Sequence, residues 1–236
     1  MKNFVFIFYK KKKHDLIVHD GDYSLSCQEK LLKKSILRIK KIYPHSKIHL
    51  ITNIKDYIGV DFDFLHFFDS SSNHLIKFQI YGLLDEESVY LDADVLVKRA
   101  FFEDELETKF DLKFFNLSHH IKIDEISNYP NRSNVYNAGV VYIKVPNKKI
   151  TDDLFEIESS FFYDKDFLIK NKIWPYNDEY SLSIFLDKNK IYFSNSDTVN
   201  IPCDVGSARD MKIQSIHYTG LHNKHKYFKD SAKLRI

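Results

Sequence analysis

Apolar runs and amphipathic segments alternate along the chain, and they predict strands and helices in turn. The apolar runs predict strands at Asn3–Tyr9, Phe64–Phe68, Ser88–Leu91, Asp111–Phe115, Lys190–Phe193 and Ile213–Tyr218, and within Val135–Ile143 after an Asn-Ala-Gly step. Alternation of apolar and polar residues predicts a further strand at Lys47–Thr52. The amphipathic segments predict helices at Ser26–Tyr43, His74–Leu84, Phe101–Phe110 and Asp152–Tyr163, and one that starts at Asn177. Because no repeat, linker or low-complexity segment interrupts this alternation, we expect an α/β protein with residues 1–236 in one domain.

The first helix has the clearest boundary signals. Ser26 and Glu29 form a capping box, S-x-x-E, which predicts that the helix begins there. Leu32 and Ile36 belong to one apolar stripe at helical spacing. Pro44 stops the helix, because proline cannot continue the backbone hydrogen-bond pattern.

Composition excludes several classes of protein. The 35 basic and 33 acidic residues leave a net charge of +2, which argues against nucleic-acid binding, since that needs clustered excess basic charge. Cys27 and Cys203 have no zinc-site spacing, and we interpret them as free thiols in a reducing compartment. No apolar run approaches the roughly 18 residues that span a bilayer. The first apolar run is too short for the core of a signal peptide, so we expect a cytoplasmic protein.

The residues after Leu221 carry five basic side chains against one aspartate, a local charge of +4. Such a basic tail is usually solvated, but it could also close over phosphates or contact an anionic membrane peripherally. The chain has only 6 glycines and no glycine-rich phosphate loop. Any phosphate must therefore be held by a metal and by basic side chains.

The stretch Ser88–Val97 carries the strongest chemical signal. A buried strand runs into Asp92 and Asp94, although aspartate is a poor strand former and a buried charge needs a partner or a metal. In an extended chain, residues at i and i+2 point to the same side. Two such carboxylates suit Mg²⁺ or Mn²⁺, which predicts a metal–phosphate site where the strand ends. The alternative is a solvated turn with two surface aspartates.

Other candidates are ambiguous when each is taken alone. Asn137-Ala138-Gly139 permits close backbone approach but equally suits an ordinary turn entering a strand. Asp178 and Glu179 follow a helix cap and could simply complement the helix dipole. His217 lies near the end of a strand, where a histidine is more often a core residue than a ligand. The long, weakly periodic segment Leu117–Val135 predicts a lid or an acceptor loop.

In chain order, these motifs resemble the GT-A glycosyltransferases, most closely glycosyltransferase family 8, the glycogenin and bacterial lipopolysaccharide galactosyl- and glucosyltransferase group. The similarity covers most of the chain and begins at Lys33–Thr52. Tyr90–Asp94 looks like the family's YLDAD metal motif, and Tyr136–Val140 looks like its FNAG step. Asn177–Glu179 is similar to its aspartate–glutamine step, with Glu179 where glutamine is usual, and His217–Gly220 looks like its HFxG motif.

The resemblance implies a mostly parallel, Rossmann-like mixed sheet flanked by helices, and a retaining transfer from a UDP-linked nucleotide-sugar donor to a glycan, lipid-linked or protein acceptor. It implies Mn²⁺, or Mg²⁺, held by Asp92, Asp94 and His217. The implied catalytic residues are Asp178, Asn137 and Lys77. The implied donor-binding residues are Tyr9, Lys77, Asp92, Ala93, Asp94, Asn137, Ala138, Gly139, Asp178, Glu179, Gly220 and Lys224.

Some alternatives stay open. The family usually places a pyrophosphate lysine six residues after the histidine, where this chain has Asn223, so that lysine is either Lys224 or Lys226. A phosphatase of the haloacid dehalogenase type would also use a strand ending in two aspartates, with Asp92 as nucleophile and Asp94 as acid/base. A nucleotide-sugar-binding protein without catalysis is the other alternative.

Overall fold

The structure, a computed structural model, describes residues 2–10, 25–69, 73–100, 112–114, 138–159, 177–189, 199, 201–203, 209–218 and 223–234. In this part of the chain the strands are β1 Asn3–Phe8, β2 Lys47–Thr52, β3 Phe64–Phe67, β4 Ser88–Leu91, β5 Val95–Val97, β6 Leu112–Phe114, β7 Val140–Ile143, β8 Ile201–Pro202 and β9 Ser215–His217. The helices are α1 Leu25–Ile42, α2 Asn73–Phe78, α3 Lys148–Ser159, α4 Asn177–Asn189 and α5 Lys224–Lys233. The predicted helix Phe101–Phe110, loop Leu117–Val135 and strand Lys190–Phe193 lie outside these residues.

A six-stranded mixed sheet forms the centre, in the order β3-β2-β1-β4-β7-β6. The first four strands in that order pair in parallel, and β7 runs antiparallel to both of its neighbours. Because side chains alternate along a strand, Phe4 and Phe6 of β1 pack against α1, while Val5 belongs to the core on the opposite face, with Leu154 of α3 and Phe185 of α4. The predicted α/β class with a mostly parallel mixed sheet is confirmed.

A small second sheet lies beside the first, in the order β5-β9-β8. β5 pairs antiparallel with β9, and Val95 lies opposite His217. The strand ends before the two aspartates, as the sequence predicts, and at these residues the chain leaves the large sheet and enters the small one. Arg38 of α1 stabilises this arrangement, because its Nε donates to the carbonyl of Val97 at 2.8 Å.

Two predicted helix boundaries are wrong for identifiable reasons. α1 already includes Leu25, so Ser26 lies inside the helix and is not its N-cap; the Glu29 carboxylate accepts a hydrogen bond from the Tyr57 hydroxyl at 2.6 Å. α3 begins at Lys148, before the predicted Asp152, because the Asn147 side chain accepts a hydrogen bond from the amide of Lys149 at 2.9 Å.

The predicted helix His74–Leu84 is shorter than expected. α2 ends at Phe78 and continues as one 3₁₀ turn, Gln79–Tyr81. Gly82 follows, where an added Cβ would lie 2.6 Å from the Cα of Lys148. α3 therefore approaches too closely for a side chain at this position, which only glycine can occupy without a shift of the backbone.

The expected basic tail is a packed helix instead. In α5, Lys224 and Tyr227 are buried, and Tyr227 belongs to the core of the small sheet together with Leu96 and Ile216. Cys27 and Cys203 are both free thiols, as expected. Across the described residues, no helix combines the length and the apolar character needed to cross a membrane.

Candidate active site

The candidate site is built on the turn that joins the two sheets. Asp92 follows β4 directly, at the edge where β1, β2 and β4 all have their carboxyl ends. The amide of Val95 donates to the carbonyl of Asp92 at 3.0 Å, so Asp92-Ala93-Asp94 forms a turn and not the extended segment that the i, i+2 argument assumed. The tight turn, and not strand alternation, brings the two carboxylates to one place.

The second sheet brings His217 to this turn. Because Val95 pairs with His217 across β5 and β9, the imidazole lies beside both aspartates. Its Nε2 is 3.3 Å from Asp94 Oδ1 and 3.7 Å from Asp92 Oδ2. One ligand atom from each of the three residues lies within 4.8 Å of the other two. Two carboxylate oxygens and one imidazole nitrogen are a donor set that fits Mn²⁺ and, less well, Mg²⁺.

Two lysines face the carboxylates. Lys77 Nζ is 3.4 Å from Asp92 Oδ1. Lys224 Nζ contacts Asp94 Oδ2 and donates to the carbonyl of Tyr218 at 2.6 Å. Burial alone would raise the pKa of the Asp94 carboxyl, but Lys224 and His217 outweigh that effect and hold the pKa well below its usual range. Lys226, the other candidate from the sequence, donates to the carbonyl of Cys203 instead.

Tyr90 is a site residue that the sequence reasoning missed. Its hydroxyl donates to Asp92 Oδ1, and Lys77 Nζ lies 5.4 Å from the centre of its ring. The available signal was its position two residues before Asp92, on the same side of the strand. The backbone also holds this end of the turn, because the amide of Asp92 donates to the carbonyl of Gly139 at 2.9 Å.

The remaining predicted residues divide into four groups. Ala138 and Gly139 are buried and precede β7, next to Asp92. Tyr9 is half-buried beyond the end of β1, against the core on the α3 and α4 face. Asn137 and Gly220 lie outside the described residues. The backbone of Asp178 and Glu179 belongs to the first turn of α4, and their side chains are not described.

Comparison with known proteins finds likeness in structure only. No protein-family model matches the chain, and no curated protein matches its sequence. Among solved structures, the galactosyltransferase LgtC in complex with donor and acceptor sugar analogs is similar, with a TM-score of 0.58 and 13% identity over 99% of this chain and 96% of LgtC. An active-site glutamine-to-glutamate mutant of LgtC gives a TM-score of 0.57 and 14% identity, over 98% and 95% of the two chains.

A second glycosyltransferase has the same architecture. The enzyme GlyE of Streptococcus pneumoniae TIGR4 gives a TM-score of 0.60 at 14% identity, and the match covers 98% of this chain and 61% of GlyE. The resemblance inferred from the motifs is thus matched by a likeness of fold along nearly the whole chain. The chain has the GT-A fold of these glycosyltransferases.

Proposed function

We propose that this protein is a metal-dependent glycosyltransferase that transfers a hexose from a UDP-linked donor to a carbohydrate acceptor, with retention of the anomeric configuration. The observation that carries the proposal is the grouping of Asp92, Asp94 and His217 at the carboxyl edge of the central sheet in a GT-A fold. In open α/β sheets, this edge is where ligands bind.

The charges at the site support a diphosphate-bearing donor. Asp92 faces Lys77 and Asp94 faces Lys224, so the formal charges of these four side chains cancel. A divalent cation adds two positive charges, and the diphosphate of a nucleotide sugar carries two negative ones. With both bound, the formal charge of the site would again be zero. When bound, the cation would neutralise charge that develops on the diphosphate leaving group.

The chain's own residues then have separate tasks. Asp92, Asp94 and His217 hold the cation, and the ammonium groups of Lys77 and Lys224 bind phosphate or sugar oxygens. Asn137 and Asp178 bind sugar hydroxyls, where a lost hydrogen bond discriminates strongly between substrates. No enzymatic nucleophile is assigned.

The choice of donor and acceptor follows the structural neighbours and the motif resemblance. LgtC was solved with donor and acceptor sugar analogs, which supports a nucleotide sugar and a carbohydrate acceptor for this chain. Lipid-linked glycans and protein side chains belong in the same acceptor panel. Glu179 stands where the family usually has glutamine, so Glu179→Gln is the variant with which to examine the choice of donor sugar.

Thermal unfolding with UDP, GDP, ADP and CDP, each with Mn²⁺ or with EDTA, tests the proposal first. A ligand at about 100 times its dissociation constant adds roughly 2.7 kcal/mol to the free energy of unfolding. For a chain of this size, that raises the melting temperature by roughly 5–11 °C. We expect this shift with UDP plus Mn²⁺ and not with EDTA.

Transfer assays with UDP-hexoses over the acceptor panel follow, and NMR of the product reports the anomeric configuration. Asp94→Asn should remove Mn²⁺-dependent transfer, and wild-type activity in that variant would refute the metal assignment. No shift with any nucleotide, combined with a trapped phospho-aspartate at Asp92, would identify a phosphatase. Donor binding without transfer or hydrolysis would identify a non-catalytic binding protein.

A further inference from the structure

The turn Asp92-Ala93-Asp94 has three backbone carbonyls, and each one accepts a hydrogen bond. The amide of Val95 donates to the carbonyl of Asp92 at 3.0 Å, and the amide of Tyr218 donates to that of Asp94 at 3.1 Å. The carbonyl of Ala93 instead accepts from a side chain, the hydroxyl of Ser35, at 2.7 Å. A side-chain donor can be removed by substitution, whereas the two backbone donors are present with any non-proline residue.

The hydroxyl of Ser35 has a partner of its own. Its oxygen lies 2.6 Å from the hydroxyl of Tyr227. A carbonyl oxygen can only accept, so the single hydrogen of Ser35 points to Ala93, and Tyr227 must donate to Ser35. Burial raises the pKa of Tyr227 well above its usual range, so this hydroxyl keeps its proton. The result is a directed chain from Tyr227 to Ser35 to the Ala93 carbonyl.

Both side chains are fixed by the elements that surround the candidate site. Ser35 is 3% exposed on α1, and Tyr227 is fully buried on α5. The ring of Tyr227 packs edge-on against that of Tyr218, with centroids 5.4 Å apart, and the amide of Tyr218 holds the carbonyl of Asp94. The first residue of α5, Lys224, contacts the Asp94 carboxylate directly. α5 therefore supports the turn both through Lys224 and through Tyr227.

We propose that Ser35 and Tyr227 are positioning residues for the metal centre: together they fix the peptide between Ala93 and Asp94, and so the direction of the Asp94 carboxylate toward His217. The inference rests on the proposed function, since it concerns the same three ligands. Its physical basis is that rotation of this peptide changes the backbone angles on both sides of it. Such a rotation would move Asp94 Oδ1 away from His217 Nε2, which is now 3.3 Å distant.

The test is calorimetric titration of the folded, nucleotide-free protein with MnCl₂. We expect Ser35→Ala to weaken Mn²⁺ binding roughly tenfold, the lower end of the range for residues that orient metal ligands. Tyr227→Phe keeps the ring and its packing, and it should cause a smaller loss. The double variant should equal Ser35→Ala, because the hydroxyl that Tyr227→Phe removes acts only through Ser35, and a double-mutant cycle measures this coupling.

Two matched controls separate positioning from stability. Ser231→Ala removes another buried serine hydroxyl, one that donates to the carbonyl of Phe228 within α5 at 2.9 Å. Tyr57→Phe removes a tyrosine hydroxyl that donates to Glu29 at 2.6 Å. Both should keep wild-type Mn²⁺ affinity, even where their melting temperatures fall.

The outcomes distinguish the two proposals. If the wild type does not bind Mn²⁺, the proposed metal-dependent function fails. If the wild type binds Mn²⁺ and Ser35→Ala binds as well as Ser231→Ala does, the positioning role is overturned. If Ser35→Ala does not fold, Tyr227→Phe decides alone: affinity equal to that of Tyr57→Phe contradicts the inference. Additive effects in the double variant would also contradict it.

Discussion

Replacing Lys224 with methionine tests the central electrostatic feature of the site. The substitution keeps most of the side-chain volume and removes the charge that faces Asp94, in a pair whose side chains are 6% and 17% exposed. Removing one partner of a buried ion pair costs about 3–5 kcal/mol, because the other charge is left uncompensated. Asp94 is only partly buried, so we expect about 3 kcal/mol, which lowers the melting temperature in EDTA by roughly 6–12 °C.

Mn²⁺ should recover much of this loss. In the wild type a cation would have to compete with Lys224 for Asp94, whereas in Lys224→Met the carboxylate has lost that partner. Differential scanning fluorimetry in EDTA and in rising MnCl₂ measures both effects, and we expect the Mn²⁺-induced shift to be larger in the variant than in the wild type.

Lys226→Met is the matched control, because it removes a lysine two residues away whose Nζ donates to the carbonyl of Cys203, directly after β8, and not to a carboxylate. Lys226→Met should lower the free energy of unfolding by about 1 kcal/mol, and Mn²⁺ should shift its melting temperature as much as it shifts that of the wild type. Equal melting temperatures of Lys224→Met and the wild type in EDTA, or equal Mn²⁺ shifts, would refute the reasoning.

Three further predictions concern other contacts. His49 Nδ1 is 3.1 Å from His66 Nε2, and burial, with the charges of neighbouring groups, lowers the pKa of His49 to about 4. The folded state therefore binds a proton at His49 more weakly than the unfolded chain does, so the free energy of unfolding is highest above about pH 6.5 and falls by about 2 kcal/mol by pH 5. Urea unfolding at pH 7 and pH 5 should show this loss, and His49→Gln should reduce it. Tyr90→Phe removes a donor to Asp92 and should weaken Mn²⁺ binding up to roughly tenfold by calorimetry; unchanged affinity would show that the hydroxyl does not orient the ligand. Arg38→Met removes two hydrogen bonds to the carbonyls that end β5 and should cost about 2 kcal/mol in urea unfolding; a loss below about 0.5 kcal/mol would contradict this role.

The sequence was informative where local pattern and local chemistry coincide. Asp92 and Asp94 interrupt an apolar run, and two carboxylates at the end of a strand need a partner wherever the strand is buried. The six strands of the central sheet were also predicted, because each is a short segment in which apolar residues are continuous or alternate with polar ones. The role of His217 could not be predicted from local pattern. Its own residue type indicated a core histidine, and only the motif resemblance assigned it to the metal, because the pairing of β5 with β9 is a long-range contact without a local signal.

The residues that support the site were missed for a physical reason. Pattern analysis assumes that lysine is exposed, so a segment rich in lysine was interpreted as a tail. In α5, however, the buried positions Lys224, Tyr227 and Ser231 follow helical spacing, and Lys224 is buried because Asp94 compensates its charge. Ser35 gave a comparable signal, a hydroxyl within the apolar face of α1, but its acceptor is a backbone carbonyl that the sequence does not identify.

The geometry of the candidate metal site depends on how the two sheets pack. Asp92 is held by the large sheet through the carbonyl of Gly139, whereas Asp94 and His217 are held by the small sheet. α1 packs on both sheets, and its Arg38 bonds the end of β5. Loosening that contact should therefore change the spacing between the two carboxylates, so Arg38→Met should weaken Mn²⁺ binding in addition to lowering stability. An equally destabilising change at His49, which lies within the large sheet, should leave Mn²⁺ affinity unaltered, and equal losses of affinity in the two variants would contradict this account.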